Sequence, residues 1–211
     1  INPLFVSHEQ IIALDARVVL YEPEVKEEDL PKLAIRPYPT HYVKEFRNKL
    51  GEPFTLRPIR PEDEPKMVRF HEKLSEQSVY LRYFRAFKLD QRVEHDRLTR
   101  ICYVDYDRAI VLVVEWTDPE TNQQEIVAVA RLTRLANPTE AEFAMLVRDD
   151  FQRRGVGTQL LQNLLAFGRD EGIKRVVAWM LPENRGMIEI SEKLGFTMSR
   201  DQDMMKAEME M

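Results

Sequence analysis

The chain holds a single cysteine, Cys102, in 211 residues. That excludes an internal disulfide and any metal cluster built from cysteine. Cys102 lies in the stretch Arg100-Ile101-Cys102-Tyr103-Val104 and reads as a small buried hydrophobe. The four histidines, His8, His41, His71 and His95, are scattered without ligand spacing, so no metal site is expected. No run approaches the roughly 18 apolar residues that a membrane span needs. A basic excess is missing as well. Lys and Arg number 31 against 36 Asp and Glu, a net charge of −5, which argues against a nucleic-acid partner. The opening Ile1-Asn2-Pro3-Leu4 has neither a starting Met nor the charged n-region of a signal peptide. The expectation is a cytoplasmic, globular protein, cut from something longer.

Two textures divide what is there. Residues 1–53 are dotted with proline (Pro3, Pro23, Pro31, Pro37, Pro39) and carry no sustained period, so they read as an arm or linker. The one exception is the apolar run Gln10 to Leu20, compatible with a buried strand. From Phe54 to Met211 the texture is that of one domain. Phe54 to Arg60 alternates like a strand, and Pro61-Glu62-Asp63-Glu64 suits a helix start. Helical stretches follow near Ser78–Phe84 and Gln91–Cys102. Strand-like runs come next at Ala109–Trp116, Ile126–Leu135 and Ala141–Val147, then a long helix ending at Gly172. Arg175 to Met180 is apolar enough to be buried on both faces. Asn184 opens a further helix that closes at Gly195-Phe196, and one last strand is expected after Arg200.

The strongest signal is the order strand, Gln152-Arg153-Arg154-Gly155-Val156-Gly157-Thr158, long amphipathic helix. A pyrophosphate needs several N–H donors pointing inward and positive charge close by. Glycines let the backbone turn tightly against the oxygens, and the N–H groups at a helix start form an anion nest. Arg153 and Arg154 add full charges, and Thr158 a hydroxyl. No Gly-Lys-Ser/Thr follows, which excludes a nucleotide P-loop. A dinucleotide fingerprint would need a third glycine where Leu160 stands, and an acid where Met180 stands.

What remains resembles the acetyl-CoA motif of GCN5-related N-acetyltransferases (GNATs), Gln/Arg-x-x-Gly-x-Gly/Ala. Asn184 through Gly195-Phe196 is similar to that family's second cofactor segment, and the likeness covers about residues 54–208. It implies an α+β fold, a mixed and mostly antiparallel sheet flanked by helices, with acetyl-CoA as cosubstrate. It further implies that the strands around the cradle splay apart, so that the backbone of Met145, Leu146 and Val147 pairs with the pantetheine arm. Asn184 would hold that arm from the other side. Where many members carry a tyrosine acid, seven residues after Asn184, this chain has Ser191, a poor acid. The general acid stays unassigned.

A lysine amine attacks a thioester only when neutral, and deprotonating it at pH 7 costs about 4–5 kcal/mol. A placed carboxylate can take the proton. Glu142, in the otherwise apolar Ala141-Glu142-Phe143-Ala144, is the candidate base, and Glu140, on the same face by the period of two, is its rival. The resemblance favours Glu142, since bacterial protein-lysine acetyltransferases carry their glutamate in a similar strand context. Leu56 to Glu64 and Leu74 to Phe84 look like the opening of enzymes that acetylate acyl-CoA synthetases. Some of those are fused to an ATP-grasp synthetase region, of which residues 1–20 resemble the closing strands. The expected function is acetylation of a protein lysine, on an acyl-CoA synthetase. Acetylation of a small amine and a non-catalytic CoA-sensing module stay open.

Overall fold

The computed structural model describes residues 1–26, 29–30 and 36–211. The chain forms two compact units, residues 1–34 and 35–211.

In the first unit, β1 (Leu4–Val6) pairs antiparallel with β2 (Ile11–Ala13), Leu4 opposite Ala13. Ser7 closes the turn, its N–H donating to the Gln10 carbonyl at 3.0 Å. Every residue of the two strands is exposed, and the apolar run supplies only three strand residues, Ile11 to Ala13. The expected buried strand is therefore a short, exposed hairpin. Among the described residues of this unit, two three-residue strands have no second layer to bury against.

The second unit is built on an eight-stranded sheet, ordered β3-β4-β5-β6-β7-β8-β10-β9. Its strands are β3 (Lys44–Arg47), β4 (Pro53–Pro58), β5 (Ala109–Thr117), β6 (Gln124–Arg134), β7 (Glu140–Val147), β8 (Arg175–Met180), β9 (Thr197–Asp201) and β10 (Met204–Glu210). All neighbours are antiparallel except β7 and β8. One face carries α5 (Val156–Asp170), whose Leu160, Leu161, Leu164 and Leu165 are buried with Phe143, Ile110 and Leu112. The opposite face carries α1 (Glu64–Glu72), α2 (Glu76–Tyr83) and α4 (His95–Cys102), which close a second core through Met67, Phe70 and Leu98. The expected helix over residues 91–102 is broken into α3 (Leu89–Arg92) and α4. The last strand is a hairpin, β9 and β10, turning at Gln202 with φ +55°.

Residues 36–53 are built into this unit. Arg36 makes a bidentate pair with Glu171 at 2.7 and 2.6 Å. Buried Tyr42 packs edge-on against Phe167, and β3 extends the sheet beyond β4. Proline density masked the four strand residues at 44–47. A buried ion cluster braces the start of the domain: Arg57 donates to Asp63 at 2.7 and 2.8 Å and to Glu115 at 3.2 Å. Cys102 is 1% exposed, and burial pushes its thiol up to about 12.

Candidate functional site

The parallel pairing of β7 with β8 covers only Glu140, Ala141 and Glu142, opposite Arg175, Val176 and Val177. Beyond Glu142, β7 stays paired with β6 as far as Val147, while β8 runs on with β10 to Met180. The two strands splay, and among the described residues the edge of β7 that faces β8 has no strand partner from Phe143 to Val147, where the Val147 carbonyl accepts from Gln152. Into this wedge points the start of α5. Its N-cap is Gly155, at φ +88°, with no side-chain cap and no acid in the first turn. The leading N–H groups of the helix have no intrahelical acceptor and form the positive end of its dipole. A groove of about 570 Å³ runs from here to α6 (Arg185–Lys193), a volume suited to a small-molecule ligand.

The groove brings together Met145, Leu146, Val147, Gln152, Arg153, Gly155, Gly157, Thr158 and Asn184. Gly157 is where the walls meet. A methyl there would come within 3.2 Å of Ile190 Cδ1 and Met145 Cε, so the bare backbone leaves the space a bound chain needs. Arg153 is itself left-handed at φ +60°, backbone strain of the kind stored at binding loops. Gln152 braces the loop, its Nε2 donating at 3.1 Å to Ser78 Oγ and to the Val147 carbonyl. Asn184 caps α6, its Oδ1 accepting from the Met187 N–H at 3.3 Å, which leaves its amide NH2 for a ligand carbonyl.

Three expected groups stand elsewhere. Arg154 turns from the groove to Glu52, at 3.3 Å, and stacks over Phe151 at 5.1 Å. Val156 is wholly buried in the core and does not line the groove. Ser191 is also wholly buried, with its hydroxyl unpartnered, and does not line the groove. One turn of α6 puts Ile190 and Lys193 on the groove and rotates Ser191 inward.

Glu142 is exposed, not enclosed in an apolar strand: the β7 edge beyond it is open, so desolvation would have to come from bound ligand. Its rival Glu140 is occupied. It pairs with the Arg175 guanidinium and accepts from Asn137 Nδ2 at 2.8 Å. Opposite Glu142 on β6 is Thr133.

Several groove residues escaped the motif reading. Lys49 reaches the cradle from the turn after β3, its N–H donating to the Arg154 carbonyl at 3.4 Å and its stem lying against Gly155. Arg185 and Lys193 of α6 add positive charge. Asp149 ties the cradle to α2: it accepts from Ser75 Oγ and Ser78 Oγ, each at 2.7 Å, and from the Ser75 N–H at 2.9 Å. Burial alone would raise its carboxyl, but these bonds outweigh that and hold it below the usual carboxylate range. Ser75 and Ser78 frame the N-cap of α2, the one signal that could have marked them. Among the described residues no cluster of His, Cys, Asp and Glu could hold a metal ion, and no helix is long and apolar enough to cross a membrane.

A splayed parallel pair with a glycine-rich helix start in the wedge is the arrangement of an acetyltransferase fold. Residues 54–197 match the acetyltransferase (GNAT) domain family, and the chain belongs to that family. Among relatives, it is 30% identical over 154 residues to the acetyltransferase Pat of Mycolicibacterium smegmatis, covering 72% of this chain and 44% of that protein. It is 26% identical to an acetyltransferase of Pseudomonas aeruginosa, over 77% of this chain and 84% of the relative. The GNAT domain of S. lividans PAT superposes with a TM-score of 0.74 at 29% identity, over 83% of this chain and all of that domain. The chain thus spans less than half the length of the mycobacterial relative and all of one solved GNAT domain.

Proposed function

We propose that the chain transfers an acetyl group from acetyl-CoA to a lysine side chain of a protein, an acyl-CoA synthetase, in the cytoplasm. The observation that carries the cosubstrate is the uncapped start of α5 at Gly155, facing the open edge of β7. GNAT domains use acetyl-CoA, and the residues present fit it. The N–H groups of Gly155 to Thr158, with Arg153 and Lys49, would hold the pyrophosphate. The free edge at Met145 to Val147 and the Asn184 amide would hold the pantetheine. Acetyl-CoA is a substrate here and supplies the reactive thioester.

The work left to the chain is to deliver a neutral amine and to favour the developing oxyanion. Glu142 is free of any ion pair among the described residues and stands where the β7–β8 pairing ends. It takes the amine's proton, directly or through a water. The backbone N–H of Met145, on the open edge of β7, donates to the oxyanion. The likeness to the two PAT proteins supports protein over small-molecule acceptors. On the same reading, residues 1–20 are the closing strands of a fused ATP-grasp region. Incubating the chain with acetyl-CoA and a cell lysate, then mapping acetyl-lysines by mass spectrometry, tests the proposal. New sites on an acyl-CoA synthetase support it, and acetylation of small amines alone overturns it.

A further inference from the structure

A second cavity, of about 250 Å³, lies between α1, α2, α4 and the sheet. Four arginines line it: Arg82 from α2, Arg97 and Arg100 from α4, and Arg131 from β6. Among the described residues, none of these four has a carboxylate within 4.0 Å. Arg97 donates instead to the Tyr83 hydroxyl at 2.8 Å and the Arg92 carbonyl at 2.6 Å. Arg131 Nε is buried without a partner. His71, 1% exposed, also lines the cavity, and both its ring nitrogens are unpartnered. This is a chain with an excess of acids, in which the buried Arg57 and Arg148 are each matched by carboxylates. Arg82 and Arg97 lie over the Tyr83 ring at 5.1 and 5.3 Å, and Glu142 acts on Arg82 only from beyond ion-pair distance. Four guanidiniums without an ion pair around one small cavity repel one another, and a bound anion would relieve that repulsion.

We propose that this cavity binds a carboxylate carried by the acceptor, next to the amine that is acetylated. The cavity shares Arg82 and Leu146 with the CoA groove, so the two spaces adjoin. Ala144 and Leu146 form its floor, and Glu142 lies on the same face of β7 by the period of two. Arg131 stands opposite Ala144 on β6, beside Thr133, which faces Glu142. At about 250 Å³ the cavity is smaller than sites for whole cofactors, which run to about 300–1,000 Å³, and suits one short acidic arm. Guanidiniums match a carboxylate bidentately. A polyamine, positive along its length, would be repelled here. The inference rests on acetyl transfer to an amine. On the reading of a protein lysine, the carboxylate is an Asp or Glu side chain close to that lysine, and an amino acid's own carboxylate is the other source of the same chemistry.

The test uses lysine peptides that differ only in Glu or Gln flanking the lysine, and free amino acids, as acceptors for the wild type and for Arg100→Gln. Arg100 is exposed at the mouth, so its loss should leave the fold intact. The Glu peptides are expected to exceed the Gln peptides in kcat/KM by about 10- to 100-fold in the wild type, a gap that collapses in Arg100→Gln while CoA affinity holds. Equal rates in the wild type, or a preference that survives the substitution, would overturn the proposal. A thermal shift with succinate, against chloride at matched ionic strength, reads the site without turnover. Stabilisation of the wild type but not of Arg100→Gln, with transfer to amino acids only, supports the anion site and sinks the protein-lysine reading. Succinate binding with no gain for any carboxylate-bearing acceptor overturns the assignment to the acceptor.

Discussion

Adding one methyl group at either glycine of the cradle should produce opposite phenotypes. At Gly155 the backbone sits at φ +88°, where an L-residue costs about 1–2 kcal/mol. Space is not the obstacle, because the new carbon would meet nothing nearer than Lys49 Cγ at 3.5 Å. Gly155→Ala should therefore lower the Tm by about 2–8 °C, the range that 1–2 kcal/mol gives in a chain of this size. At Gly157 no left-handed φ is involved, and alanine is the better helix former by about 1 kcal/mol. Its methyl would come within 3.2 Å of Ile190 Cδ1 and Met145 Cε, flexible ends that give by a few tenths of an ångström. The two contributions offset each other, so the Tm should hardly move. Those same ends form the groove wall, however, and a displaced wall closes the approach to the helix N–H groups. The Kd for CoA should rise at least about 10-fold, or 1.4 kcal/mol. Calorimetric titration with CoA and thermal melts of both variants decide it. Wild-type CoA affinity in Gly157→Ala would refute the placement of the pyrophosphate, and an unshifted Tm in Gly155→Ala would refute the strain argument.

Arg153→Ala should weaken CoA binding about 3- to 10-fold, an effect that shrinks as salt rises, whereas Arg154→Ala, which loses only Glu52 and Phe151, should bind CoA as the wild type does; titrations at two ionic strengths separate them. Asp63→Asn leaves the buried Arg57 with Glu115 alone, and urea melts should show a loss of about 3 kcal/mol. Burial, aided by Arg97, Arg92 and Arg82, drives His71 down to about 3 from 6.5. The unfolded chain therefore takes up the proton first, so stability is complete above about pH 6.5 and falls as the pH drops below it. Melts between pH 7 and 5 should show that slope, flattened in His71→Leu, while the exposed pair of His95 with Glu64 works in the opposite sense.

Most of the fold was legible because its signals are local. Gly155 and Gly157 announce the helix start, Asn184 caps α6, and β5, β6 and β8 each carry an apolar run, over residues 109–114, 126–130 and 176–180. What escaped depends on tertiary pairing. Lys49 belongs to a proline-dotted segment whose place in the sheet follows from β3 pairing with β4 and from Arg36 and Tyr42 docking on α5. Ser191 and Arg154 matched the motif by position, but helix phase buries the first and Glu52 draws off the second. The arginine cavity could not be read from spacing, since its four guanidiniums come from α2, α4 and β6.

Acetyl transfer with Glu142 as base is tested most directly by single-turnover kinetics of Glu142→Gln, with CoA affinity measured on the same preparation. The charge is lost and the shape kept, at an exposed site where folding should not suffer. The rate of acetyl-lysine formation should fall by about 10²- to 10⁴-fold with the Kd for CoA unchanged. An undiminished rate at wild-type CoA affinity would contradict the assignment.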